Sequence, residues 1–166
     1  MRLVIDSLVA LMLAGLLGGI LLYQRSTEEE SRDVELLRQS LRRIEQQIAY
    51  HSAVADTQLT GRGFPETIDP EWFAADLPRN VLANGPHPWL EVATAEQANL
   101  QHPPVRVMLD KSYAGFWYNP YQGVVRARVP SEVSDEQAIA IYNEVNGSYE
   151  KNLIDHTGLR LISGTD

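Results

Sequence analysis

Hydrophobic positions are crowded at the start of the chain and then thin out into a repeating pattern. Leu8 to Tyr23 carries no charge, and Leu3, Val4 and Ile5 extend the apolar stretch across Asp6 and Ser7 to about 20 residues, the length that spans a bilayer core. A cleaved signal peptide has a shorter core followed by small residues. Ile20-Leu21-Leu22-Tyr23-Gln24-Arg25 offers none, so residues 1–26 are expected to be a retained transmembrane anchor. From Thr27 the pattern turns charged, with Glu28, Glu29 and Glu30 in front and no Gly or Pro before Gly61. Val34, Leu37, Leu41, Ile44 and Ile48 recur at spacings of 3 and 4, which draws an apolar stripe along an amphipathic helix expected over residues 27–60. Glu28 with Arg32 and Arg42 with Glu45 have helical spacing for exposed ion pairs.

Gly61-Arg62-Gly63-Phe64-Pro65 marks the expected end of that helix, and residues 61–166 are read as a small α+β domain packed on it. Residues 66 to 104 are rich in Pro and have no periodicity, with Trp72, Phe73, Trp89 and Leu90 as anchors onto a core. Val105 to Leu109 reads as a strand. A hairpin follows, from Gly115-Phe116-Trp117-Tyr118 through a turn at Asn119-Pro120-Tyr121-Gln122-Gly123 into Val124–Val129. There Val125, Ala127 and Val129 form the packed face, and Val124, Arg126 and Arg128 the face toward solvent. Pro130 is expected to end a small antiparallel sheet. Ser134 is placed to cap a short helix that Asn146-Gly147 stops, and Leu159 to Ile162 could add a last strand.

Charge and chemistry narrow the function. A net charge of -8 argues against nucleic acid, which requires a cationic face. The chain has no cysteine, hence no disulfide, thiolate metal site or cysteine nucleophile. His51, His87, His102 and His156 lack metal-ligand spacing, and no nucleophile elbow, Walker loop or dinucleotide fingerprint occurs. No enzyme, cofactor, metal or small-molecule substrate is therefore expected. Inside the apolar run, Gly15 and Gly19, with Ala14 and Gly18 beside them, make a face that another helix could approach closely. Asp6 is the one acid in the span and calls for a headgroup or an amine partner. The short head Met1-Arg2 is expected to stay cytoplasmic, with the rest of the chain exported across an inner membrane.

The order of parts, a membrane helix, a long amphipathic helix, Gly63-Phe64-Pro65 and an aromatic hairpin at Phe116-Trp117-Tyr118-Asn119, resembles the type IV pilin and type II secretion pseudopilin superfamily. Asp6, followed by a continuous apolar run, falls where that family carries a glutamate important for assembly. Met1-Arg2 stands where the family has the glycine and phenylalanine of its prepilin peptidase site. The resemblance implies a non-enzymatic, pilin-like subunit of a secretion or pilus-type assembly, in contact with the lipid bilayer and with other pilin-like subunits or membrane helices. Asp6, Gly15 and Gly19 would be its helix–helix contacts. The alternative from the residues alone is a bitopic envelope scaffold that pairs through the stripe Val34–Ile48 as a coiled coil. A third possibility is an anchored hydrolase or ligand-binding domain with a pocket in loops 66 to 104.

Overall fold

The structure, a computed structural model, describes residues 2–74 and 76–155; before Glu28 it describes the side-chain positions of Met12, Gly15, Leu16 and Gly19 only. The chain divides into two compact units, Met1–Asp33 and Val34–Asp166. Helix α1, Arg2–Val54, supplies the described part of the first unit and the opening element of the second. Among the described residues no helix is long and apolar enough to cross a membrane, and most side chains of the run Leu8–Tyr23 lie outside them.

In the second unit the stripe does what its spacing predicts. Val34, Leu37, Leu41, Ile44 and Ile48 are all buried, Leu37 and Ile44 completely, in one core with Phe116, Tyr118, Val125, Ala127, Val129 and Tyr142. The helix stops at Val54, short of the expected residue 60, because Ala55 turns left-handed at φ 55 while its amide still bonds His51 O at 3.0 Å. Asp56 then meets the His51 ring at 2.6 Å. Gly61-Arg62-Gly63 is consequently the tip of a tight loop rather than a helix stop. Thr60 N bonds Phe64 O at 2.7 Å, Glu66 N bonds Gln58 O at 3.0 Å, and Leu59 bridges Pro65.

The fold class is α+β as expected, but the sheet is mixed rather than antiparallel. Strand β1, Leu90–Val92, runs parallel to β3, Phe116–Asn119, which pairs antiparallel with β4, Val124–Ala127, in the order β1-β3-β4. Strand β2, Val107–Met108, runs parallel to β5, Val129–Pro130, so Pro130 belongs to the sheet it was expected to end. Parallel partners need a long crossover, here residues 93–115, and such non-local pairing leaves no periodic mark in the sequence. All four residues of β3 are buried, so both faces of the hairpin's first strand are covered. Phe116 and Tyr118 face the helix core, and Trp117 and Asn119 bond into the turn around Gln97.

Arg128 keeps the expected face but not the expected exposure. Glu91, Trp117 and Arg126 are register partners, and Arg128, two residues beyond Arg126, reaches Glu91 on that same face at 2.8 Å; the face is covered, and Arg128 is 2 % exposed. Helix α2, Asp135–Asn146, follows its signals closely. Ser134 Oγ accepts from Gln137 N, and Gly147 closes the helix at φ 59. Asn146 exchanges two hydrogen bonds with the Ala127 backbone, at 2.9 and 3.0 Å, and so extends the edge of β4 with a side chain. The expected strand at Leu159–Ile162 lies outside the described residues.

Candidate functional site

The sequence-predicted contacts lie on α1. Asp6 is on this helix, and its side chain lies outside the described residues. Gly15 and Gly19, four residues apart, share a helix face, and both are exposed. A side chain added at either would meet nothing within 4 Å. Met12 and Leu16, 65 % and 64 % exposed, fall on the same face at helical spacing and were not singled out from sequence. Their signal was available in the i, i+3, i+4, i+7 series 12, 15, 16, 19. The result is a strip of bare backbone bordered by two large apolar side chains, a shape into which a second helix can pack closely.

The second unit holds polar groups in places where no ligand is needed to explain them. Arg128 Nη2 lies 2.8 Å from Glu91 Oε2, Nε donates to Val105 O and Nη1 to Ala114 O, and Tyr113 lies under the guanidinium. Asn119, fully buried, donates to the carbonyls of Gln97, Ala98 and Leu100 and accepts from Tyr121 N, pinning the turn to the sheet. A third cluster joins residues far apart in the chain. His102 Nδ1 is 3.0 Å from the Tyr142 hydroxyl, His102 Nε2 is 3.4 Å from Glu150, and Arg106 Nη2 is 2.7 Å from the other oxygen of Glu150.

Burial, followed by the nearby Arg126, lowers the His102 pKa to about 4, with Glu150 opposing and Arg106 adding to the effect. His102 is thus neutral at physiological pH. Burial likewise raises the Tyr142 and Tyr118 hydroxyls above the ordinary tyrosine range, so both act as neutral hydrogen-bonding groups. Tyr118 donates to Pro65 O at 2.8 Å and ties β3 to the 58–66 loop.

A cleft of about 460 Å³ does open in the loops 66 to 104 region, between Leu77 and Trp89 and against Phe116. Its main polar groups are taken by backbone: Asn80 donates to Gly115 O and Arg128 O, Trp89 to Pro78 O, and His87 Nδ1 meets Tyr113 O. A second cleft, about 520 Å³, lies between β2, the first turns of α2 and Lys151–Ile154. In the second, the Ser131 hydroxyl donates to Met108 O at 3.0 Å. Among the described residues no group of three or more His, Cys, Asp or Glu is placed to hold a metal ion. Compared with protein-family models, with characterised proteins and with solved structures, the chain finds no match.

Proposed function

We propose that the chain is a non-enzymatic, pilin-like subunit of a secretion or pilus-type assembly. The apolar start of α1 anchors it in the inner membrane, and the second unit lies on the extracytoplasmic side. The anchor is supported by the uncharged run Leu8–Tyr23 and by its length with Leu3–Ile5. The single observation that carries the assembly role is the exposed face of Met12, Gly15, Leu16 and Gly19, with open space over both glycines. Apolar helices in lipid gain little from hydrophobic burial, so close packing over glycine is the means by which they associate. The scaffold alternative needs the stripe Val34–Ile48 free for a partner. Those side chains already fill the core of their own domain.

Because the chain has no cysteine, single cysteines placed at Gly15 or Gly19 report contacts without background. In native membranes both are expected to form crosslinked dimers or adducts with other membrane helices, while a cysteine at the 95 % exposed Tyr149 stays monomeric. Monomer at all three positions would remove the assembly reading.

A further inference from the structure

The dipeptide Asn-Gly occurs twice in the chain, at Asn84-Gly85 and Asn146-Gly147, and the fold treats the two copies in opposite ways. Glycine has no Cβ to shield its amide or to narrow its backbone torsions, so that amide can swing onto the side-chain carbonyl carbon of the asparagine before it. At Asn146-Gly147 the approach is blocked. The Asn146 side chain accepts from Ala127 N at 2.9 Å and donates to Ala127 O at 3.0 Å and Tyr142 O at 2.9 Å, so both ends of its amide are held. Gly147 is fixed as well, since it closes α2 at φ 59 and its N–H donates to Asn143 O.

Asn84-Gly85 lies outside helix and strand, and both residues are exposed. Gly85 has φ +89, and a Cβ there would meet nothing within 4 Å. Its N–H has no hydrogen-bond partner among the described residues. The Asn84 amide makes an exposed contact, Nδ2 to Glu132 Oε2 at 2.9 Å, on the turn between β5 and α2. A bond between two exposed side chains exchanges readily with water, and it does not lock the amide as the three bonds do at Asn146.

We infer that Asn84-Gly85 is a site of spontaneous modification by water, and that the fold protects Asn146-Gly147 from the same reaction. Hydroxide takes the proton from Gly85 N, which attacks Asn84 Cγ. The new N–Cγ bond closes a succinimide ring, the Cγ–Nδ2 bond breaks, and Nδ2 takes its proton from water and leaves as ammonia. Water then opens the ring. Attack at Cγ leaves an aspartate, and attack at the main-chain carbonyl leaves an isoaspartate whose chain runs on through the former side chain. Either product puts a carboxylate where the amide donated to Glu132. The donor is lost and two like charges meet, so the link between the loop at 81–87 and the turn at 131–134 is broken. The site lies in the second unit and does not depend on the face at Gly15 and Gly19.

The test incubates the full chain in mild detergent and mildly alkaline buffer and maps its peptides by mass spectrometry, with an isoaspartyl methyltransferase to label the rearranged product. In the folded protein Asn84 is expected to convert at least tenfold faster than Asn146. In urea the two rates should converge, because Asn146 speeds up at least tenfold once its hydrogen bonds open while Asn84 changes little. Equal rates in the folded protein, or acceleration of Asn84 by urea to the same degree as Asn146, would overturn the proposal. Gly85→Ala is expected to slow conversion at position 84 at least tenfold and to leave Asn146 as it was; an unchanged rate at position 84 would overturn it too. The broken link is read by hydrogen exchange. Asn84→Asp should speed exchange in residues 131–134, and adding Glu132→Gln should return it to the parental rate. Unchanged exchange in Asn84→Asp would overturn the loss of that link.

Discussion

A guanidinium at 2 % exposure has given up nearly all its water, and Arg128 recovers those hydrogen bonds from Glu91, Val105 O and Ala114 O. Removing it leaves two backbone acceptors and a half-exposed acid without their partner. Arg128→Met is therefore expected to destabilise the second unit by about 3 kcal/mol, in the range for breaking a buried pair from one side. Arg42→Gln, on the surface, should stay within about 0.5 kcal/mol in the same urea titration. His102 makes a different kind of contribution, one that depends on pH. The folded protein keeps the ring neutral down to about pH 4, whereas the unfolded chain takes up a proton below its ordinary value of 6.5. The folded pKa is the lower one, so stability is fully present above pH 6.5 and is lost as the pH falls toward 4. With the shift discounted for partial solvent access, the loss is about 2 kcal/mol. Thermal melts at pH 7 and pH 4.5 should show a larger drop for the parent than for His102→Gln. Equal drops would mean that the ring is open enough to protonate in place.

At the level of elements, the hairpin depends on one glycine. Gly123 sits at φ +67, and a Cβ there would lie 2.3 Å from the Phe64 ring. Gly123→Ala thus combines a left-handed backbone penalty of about 1 kcal/mol with a steric clash. It should cost at least 2 kcal/mol, and combining it with Phe64→Ala should recover the steric part; a simple sum of the two losses would mean the ring does not press on the turn. The same elements show what a one-dimensional pattern carries. The stripe on α1, the β3–β4 hairpin and the Ser134 and Gly147 ends of α2 were legible because each rests on neighbours a few residues apart. The pairing of β1 with β3 and the cluster of His102, Arg106, Tyr142 and Glu150 were not, since their partners are 20 to 50 residues away and joined by loops without period. The end of α1 was misplaced because a left-handed alanine, unlike a glycine, has no signature. Of the candidate site, the glycines are legible from spacing, while the burial of Arg128 is not, because alternation gives the face on which a side chain lies and not whether that face is covered.

For the whole molecule, the division into Met1–Asp33 and Val34–Asp166 predicts that the proposed association through the first unit is perturbed separately from the stability of the second. Ile44→Ala removes a fully buried side chain from the core and should cost the second unit about 2–5 kcal/mol. Changes in the first unit should leave that melting transition untouched, and Asp6 is the sharpest case. An acid in an apolar run opposes insertion, so Asp6→Ala favours the bilayer and should not reduce the amount of protein in the membrane. If the carboxylate meets an amine on a neighbouring helix, association alone should fail. Asp6→Glu keeps the charge on a longer arm and should retain most of the association. Asp6→Asn keeps the shape without the charge and should resemble alanine. Quantitative pull-downs from mild detergent, normalised to membrane-inserted protein, separate these outcomes. Recovery of partners by Asp6→Ala at the parental level would show that water or headgroups already satisfy the carboxylate, and assembly would then rest on the glycine face alone.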